Sequence, residues 1–154
     1  MKKIEINLEQ SVIAPLLDFI KPLVEEFGND LVVKPDLPPD ADADLREWWT
    51  ENLMDTLAND AEALMHLFDR RFFESGTIEV NPENADSVLR ASAAIRLRLR
   101  DRALKRFSDE DLEKGELNYY GMSQEEQRSY ACYIFMATIQ EVIIEHMDII
   151  HGNR

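Results

Sequence analysis

Cysteine, histidine and glycine are all scarce in this chain, and each scarcity closes off a kind of chemistry. A single thiol, Cys132, cannot form an intramolecular bridge. Its place in the most apolar stretch makes it a packing residue rather than a reactive one. With 154 residues the chain is long enough to bury roughly two-thirds of its unfolded surface without disulfide or metal. Five glycines make no phosphate-binding loop, and neither Ser75-Gly76 nor Gly121-Met122-Ser123 has the form of a nucleophile elbow. A carboxylate-bridged metal bundle needs Glu-x-x-His on two helices, and that motif does not occur. The nearest pairs are Glu62 with His66, His66 with Asp69, and Asp148 with His151, while the adjacent Glu145 and His146 point to different faces. No bound metal and no cofactor are expected.

Two further absences concern location. No uninterrupted apolar run reaches the roughly eighteen residues that suggest a membrane span. The opening MKKIEINLEQ has the lysines of a signal peptide, but Glu5, Asn7, Glu9 and Gln10 interrupt any apolar core. A cytoplasmic, reducing setting is expected.

Charge of one sign is abundant. The net charge is −14, and it is unevenly spread. Residues 1–89 carry 7 Lys/Arg against 20 Asp/Glu, residues 90–106 carry 7 against 1, and residues 107–154 carry 3 against 10. A field this negative repels phosphate, which argues against nucleic acid and anionic membranes as partners. One basic island does not reverse it.

The organising segment is Ser123 to Ile150, where YACYIFMATIQEVII is apolar almost all round. Such a helix must be buried on most sides. Ser123 and Glu126 form a capping box at its start, and Gly152 offers a left-handed stop. The other elements are arranged before it. Ile4, Ile6 and Leu8 alternate as in a short strand. Leu8, Val12, Leu16, Phe19, Leu23 and Phe27 then follow helical spacing as far as Gly28, with Pro15 and Pro22 expected to kink that helix or break it in two. Residues 28–44 hold Pro35, Pro38 and Pro39 and read as loop. Asp44 with Glu47 opens a second helix, in which Leu45, Trp49, Leu53, Leu57, Ala61, Leu64, Phe68 and Phe72 form one stripe ending at Gly76. Thr77-Ile78-Glu79-Val80 suits a strand that could pair with Ile4 to Ile6. Asn81-Pro82 starts a third helix running to about Phe107. Ser108 caps a short helix stopped at Gly115. The expected fold is all-α, a single domain over residues 1–154 in which four main helices surround a buried C-terminal helix, with those two short runs suited to a two-stranded ribbon.

Three segments, DLREWWTENLMDTL, NPENADSVLRASAAIRLRLRD and the SDEDL turn, precede the final apolar helix ending QEVII. In this order they resemble an all-helical bacterial family of unknown function whose actinobacterial members are encoded near the Clp protease adaptor. The resemblance implies a helical fold and a link to Clp-type proteolysis. It supplies no catalytic motif.

Three residue groups are candidates for recognition. Arg96 and Arg100 stand one turn apart inside an apolar arc, where paired guanidiniums could clamp a phosphate or carboxylate; the blander reading, which we favour, is internal ion pairing with an acidic helix. Arg98, Arg102 and Lys105 share the outer face, as a solvated stripe or as one that docks on an acidic surface. Trp48 falls at the margin of its helix, where it either packs on the first helix and the Pro-rich link or anchors a partner. The favoured function is a non-enzymatic protein-interaction or regulatory module, binding another protein or a second copy of itself. The alternative is an enzyme or anionic-ligand-binding bundle that uses Arg96 and Arg100 with His66 or Glu62.

Overall fold

A computed structural model describes residues 2–28, 43–115 and 117–151, excepting the side chains of residues 45–54 and 151. Seven α-helices and a two-stranded sheet are present among the described residues: β1 (Ile4–Asn7), α1 (Gln10–Glu25), α2 (Ala43–His66), α3 (Arg70–Ser75), β2 (Thr77–Val80), α4 (Ala85–Asp101), α5 (Asp109–Lys114), α6 (Gln124–Glu145) and α7 (Met147–His151). The structure is thus mostly helical, with α2, α4 and α6 packed together. Helix α4 lies against both α2 and α6 and also touches α1, so the centre is shared between α4 and the apolar C-terminal helix.

The ribbon forms as the alternation suggests. β1 and β2 are antiparallel, with Ile4 opposite Val80 and Ile6 opposite Ile78. Gly76 makes the turn into β2 possible. Its φ of 74° is left-handed, and a Cβ there would stand 2.5 Å from the carbonyl oxygen of Leu8. That close approach is occupied by a hydrogen bond, since the Leu8 amide donates to the Gly76 carbonyl at 2.7 Å. Only glycine fits both demands.

Sequence expectations for four of the helices need correction. Helix α1 is continuous from Gln10 to Glu25 with Pro15 and Pro22 inside it, not broken in two. Both prolines are exposed, as are Ser11 and Asp18, the residues whose carbonyls lose a helical donor, so water can satisfy those carbonyls. The buried face of α1 is Ile13, Leu17 and Ile20, whereas Val12 is exposed and Leu16, Phe19 and Leu23 are only half-buried. Two helical stripes coexist in that segment, and packing on α6 decides between them.

The long stripe of the second helix is likewise divided. Helix α2 begins at Ala43, which places Asp44 inside the first turn rather than at the cap. It stops at His66 because Asp69 takes extended backbone and accepts the Arg71 amide, capping α3 as a separate helix. The apolar spacing survives the break: Ala61, Leu64, Phe68 and Phe72 are all buried.

Helix α4 ends at Asp101, short of Phe107. Leu104 is nevertheless fully buried, so the apolar pattern outlasts the helix. Nor does the helix start at Asn81-Pro82: it begins at Ala85 with Asn84 at its cap, and Asn81 instead accepts the amides of Glu83 and Asn84 in the turn before it. Helix α6 ends at Glu145, well before Gly152, and α7 follows. His146 sits at the junction, its Nδ1 at 2.8 Å from the Val142 carbonyl. Gly152 and the Pro-rich link of residues 29–42 lie outside the described residues.

The cap of α6 is the one written in the sequence. The Glu126 amide donates to Ser123 Oγ at 3.1 Å, and the Ser123 amide to Glu126 Oε1 at 2.9 Å. Along the helix Tyr130, Cys132, Tyr133, Phe135, Met136, Ile139 and Ile143 enter the core, while Ile134 and Ile144 face outward. None of the helices described is long and apolar enough to cross a membrane.

Candidate functional site

Helix α4 holds its arginines in two different settings. On the side facing α6, Arg96 Nη1 donates to Gln140 Oε1 at 2.7 Å and Nη2 to Tyr133 Oη at 3.0 Å. Its guanidinium lies 4.7 Å from the centre of the Tyr133 ring. Gln140 is itself oriented, because its Nε2 donates to the Leu89 carbonyl, which turns Oε1 toward Arg96. All of these partners are neutral. Among the described residues no carboxylate pairs with Arg96, and its Nε is buried without an acceptor. Arg100 behaves differently, reaching Asp109 of α5 at 3.2 Å and Asp101 at 3.6 Å.

Two recesses meet at Arg96. One, of about 250 Å³, is lined by Ala93, Arg96, Leu97, Arg100 and Tyr133, with Asp109 and Glu113 of α5 at its edge. The other, of about 390 Å³, is lined by Arg96, Ala137, Gln140, Glu141, Ile144 and Glu145. Arg96 lines both of these recesses along α4 and α6, taken together as the α4–α6 groove. Leu97 is 49% exposed and Ile144 61% exposed, so apolar surface is available in each half. Carboxylates line both recesses, Asp109 and Glu113 in one and Glu141 and Glu145 in the other.

On the opposite side of α4 the charges are matched within the chain. Arg98 Nη1 donates to Glu26 Oε2 at 2.7 Å, and Arg102 contacts both oxygens of the same carboxylate at 2.7 and 3.1 Å. Arg102 first, and Arg98 after it, hold the Glu26 carboxyl below its ordinary range. Burial pushes the Arg98 guanidinium down despite Glu26. Arg102 grips both oxygens of Glu26, and Arg98, which reaches one of them, also packs 4.8 Å over the Phe27 ring. Lys105 is exposed and makes no ion pair among the described residues. Trp48 lies on α2, with its side chain outside the described residues.

One polar contact escaped the sequence reading. Asp60 is 3% exposed, and Arg90 grips it with two parallel bonds, Nε to Oδ2 at 2.8 Å and Nη2 to Oδ1 at 2.9 Å. This fork ties α2 to α4. Its signal was available: Asp60 stands three residues after Leu57 and four before Leu64, on the buried stripe itself. Elsewhere His66 and Glu62 form an exposed pair at 3.8 Å. His66 lines a separate polar recess with Asp69 and Glu79, away from Arg96. Among the described residues no three His, Cys, Asp or Glu side chains come together to hold a metal ion. Cys132 is fully buried, and desolvation pushes its thiol up to about 12, which keeps it un-ionised at neutral pH.

A domain of unknown function, DUF2017, matches residues 32–147 of this sequence. The chain belongs to that family. Neither curated proteins nor solved structures supply a match. Every residue of the α4–α6 groove falls inside the DUF2017 segment, whereas β1 and α1 precede it.

Proposed function

We propose that this DUF2017 protein works by binding, and that its partner is a segment of another protein laid along the α4–α6 groove. The observation that carries this reading is Arg96. A guanidinium has five donors in a fixed fork, and here neutral groups orient it without neutralising it. An acidic side chain or a chain terminus of the partner would complete it. Leu97 and Ile144 supply apolar contact on either side, and Glu113, Glu141 and Glu145 suit basic residues toward the ends of the same segment. Such an arrangement of a central anchor with flanking apolar and polar contacts is that of a helix or extended peptide in a groove. No nucleophile or metal constellation is needed.

The resemblance to a family encoded near the Clp adaptor puts components of Clp-type proteolysis first among the partners to test, in a cytoplasmic setting. A second copy of the chain is the other partner of this class, with Trp48, Arg98, Arg102 and Lys105 as its contact residues. Because Arg98 and Arg102 are engaged with Glu26, a dimer would draw on Lys105 and Trp48 before them. The alternative of a small anionic ligand held by Arg96 and Arg100 draws support from the recess both line. The contact of Arg100 with Asp109 weighs against it, since that carboxylate already occupies one half of the clamp.

The test is recovery of partners on the tagged full chain from its native cell, compared with Arg96→Glu and Ile144→Asp. A stoichiometric protein partner kept by wild type and reduced at least tenfold by either variant supports the groove. Equal recovery by all three places the partner elsewhere. Light scattering of the purified chain separates the homodimer, which would give twice the monomer mass and lose it on Lys105→Glu.

A further inference from the structure

We infer that the outer edge of β1 is an interface on which a second copy of this chain adds its own β1, giving a continuous antiparallel sheet about a two-fold axis. Among the described residues the sheet holds β1 and β2 alone, and its two edges differ. The Leu8 amide donates to the Gly76 carbonyl, and the register sets Ile6 opposite Ile78 and Ile4 opposite Val80. In an antiparallel pair, bonding toward the neighbouring strand alternates along the chain. Leu8, Ile6 and Ile4 therefore turn their backbone groups toward β2, while Asn7, Glu5 and Lys3, just before the strand, turn theirs away. All three are exposed, and no backbone bond joins them to a third segment among the described residues. On the other edge β2 is mostly buried, and the outward Glu79 carbonyl already accepts Asn84 Nδ2 at 3.1 Å. Of the two edges, that of β1 is the open one.

Charge complementarity selects the occupant. A lysine on an edge strand normally discourages pairing, but here Glu5 follows Lys3 by two residues, on the same face. Two copies of β1 laid antiparallel with their outward backbone groups opposed have few registers to choose from. Centring on Lys3 or on Glu5 sets like charges face to face, and centring on Ile6 sets Glu5 against Asn7. Centring on Ile4 sets Lys3 of each copy opposite Glu5 of the other, with Ile4 against Ile4 on the apolar face. Opposite charges directly across a sheet stabilise the pair and like charges oppose it, so this register wins, and it forms about four main-chain hydrogen bonds. The setting permits the approach. The chain carries −14, yet on the exposed face of the ribbon Lys3 and Arg71 balance Glu5 and Glu79, which spares two copies the repulsion they meet elsewhere. The contact is small, so the dimer is reversible. It uses neither the α4–α6 groove nor Lys105, and β1 lies outside the DUF2017 match, so it stands apart from the reading above.

Analytical ultracentrifugation of the full chain tests it. In low salt the mass is expected to rise reversibly from one chain toward two as the concentration is raised to about 1 mM. Lys3→Glu alone and Glu5→Lys alone each set like charges across the axis and should stay monomeric. Mixed in equal amounts, the two variants present opposite charges at both positions and should recover the dimer, whereas Lys105→Glu should leave it intact. A second measurement needs no change of charge. Ile4→Cys should form an intermolecular disulfide about tenfold faster than Ile6→Cys, because the Ile4 positions adjoin at the axis and the Ile6 positions lie roughly 13 Å apart; Cys132 is buried and stays out of the reaction. A monomer at every concentration up to about 1 mM overturns the proposal. So does a dimer kept by both charge variants, a mixture of them that stays monomeric, a dimer lost on Lys105→Glu, or equal cross-linking at the two cysteines.

Discussion

The arginines of α4 are used in opposite ways, and even Arg96 and Arg100, which share a recess, differ, since Arg100 meets Asp109 and Asp101. Arg90, Arg98 and Arg102 meet carboxylates of their own chain at Asp60 and Glu26. Arg96 meets an amide and a phenol. The first arrangement spends its charge on holding α2 and the end of α1 against α4, and leaves little for a partner. The second orients a cation and keeps it available. An acidic chain has ample carboxylate to quench every arginine, and the guanidinium left with neutral partners is the one on which the proposed recognition role rests.

The largest effects should fall where both sides depend on the same packing. Ile139 and Ile143 of α6 are 2% and 0% exposed, and truncation of either to alanine is expected to cost about 2 to 5 kcal/mol through lost burial and the cavity left behind. Ile144, the next residue, is 61% exposed, and its alanine variant should stay within about 0.5 kcal/mol of wild type. Denaturant melts of the three variants measure this. Equal losses at Ile143 and Ile144 would mean that the groove wall is part of the core and not a free surface.

The next effect separates the two kinds of arginine directly. Asp60→Ala leaves Arg90 without its forked partner, but the Arg90 side chain is 55% exposed and can turn to water, so a loss of about 1 to 3 kcal/mol is expected. Arg96→Met keeps an apolar stem and removes a guanidinium whose partners are the neutral Gln140 and Tyr133, and should cost about 1 kcal/mol. Urea denaturation of the two single variants gives the comparison. A larger loss for Arg96→Met would make Arg96 a structural residue and remove the ground for the groove proposal.

How much of this was legible in the sequence follows the range of the interactions. Many local signals were read well, among them the Ser123–Glu126 box, the Ser108 cap, Gly76 and Gly115 as stops, and the pairing of Ile4–Ile6 with Ile78–Val80, whereas the caps expected at Asp44 and Asn81 were misplaced by one to three residues. Signals that need a partner were read poorly. The buried face of α1 was placed one step away because Val12–Leu16–Phe19 and Ile13–Leu17–Ile20 have equal helical spacing, and only contact with α6 distinguishes them. The break after His66 was missed because apolar periodicity runs through it, and a capping Asp69 without glycine or proline gives a weak stop. Arg96 and Arg100 were singled out together, yet what separates them is Asp109 against Gln140 and Tyr133, three residues from two other helices. The fate of an arginine is a tertiary fact.

The smallest expected effect tests the matched side through its acids. Besides Glu26, Glu126 is held low, at about 2, chiefly by the Arg106 guanidinium and then by the Ser123 amide. A carboxyl whose folded pKa lies below its unfolded value stabilises the fold above the unfolded value and loses that contribution as pH falls through the folded one. For Glu126 the window therefore runs from about 4.5 down to about 2. The pair is exposed on the arginine side, so its contribution is modest and screened by salt. Overall acid stability cannot isolate it, because protonation elsewhere relieves the strong negative charge of the whole chain at the same time. A difference measurement can. Arg106→Gln is expected to lower the melting temperature slightly at pH 6 in low salt, and the gap to wild type should shrink steadily between pH 4.5 and pH 2 as Glu126 takes up its proton in both. Arg96→Gln removes the same charge beside an amide and a phenol, and its gap should change less over the same interval. A gap for Arg96→Gln that closes in parallel would reveal a carboxylate partner for Arg96 in solution, and the contrast between the two sides of α4 would fall.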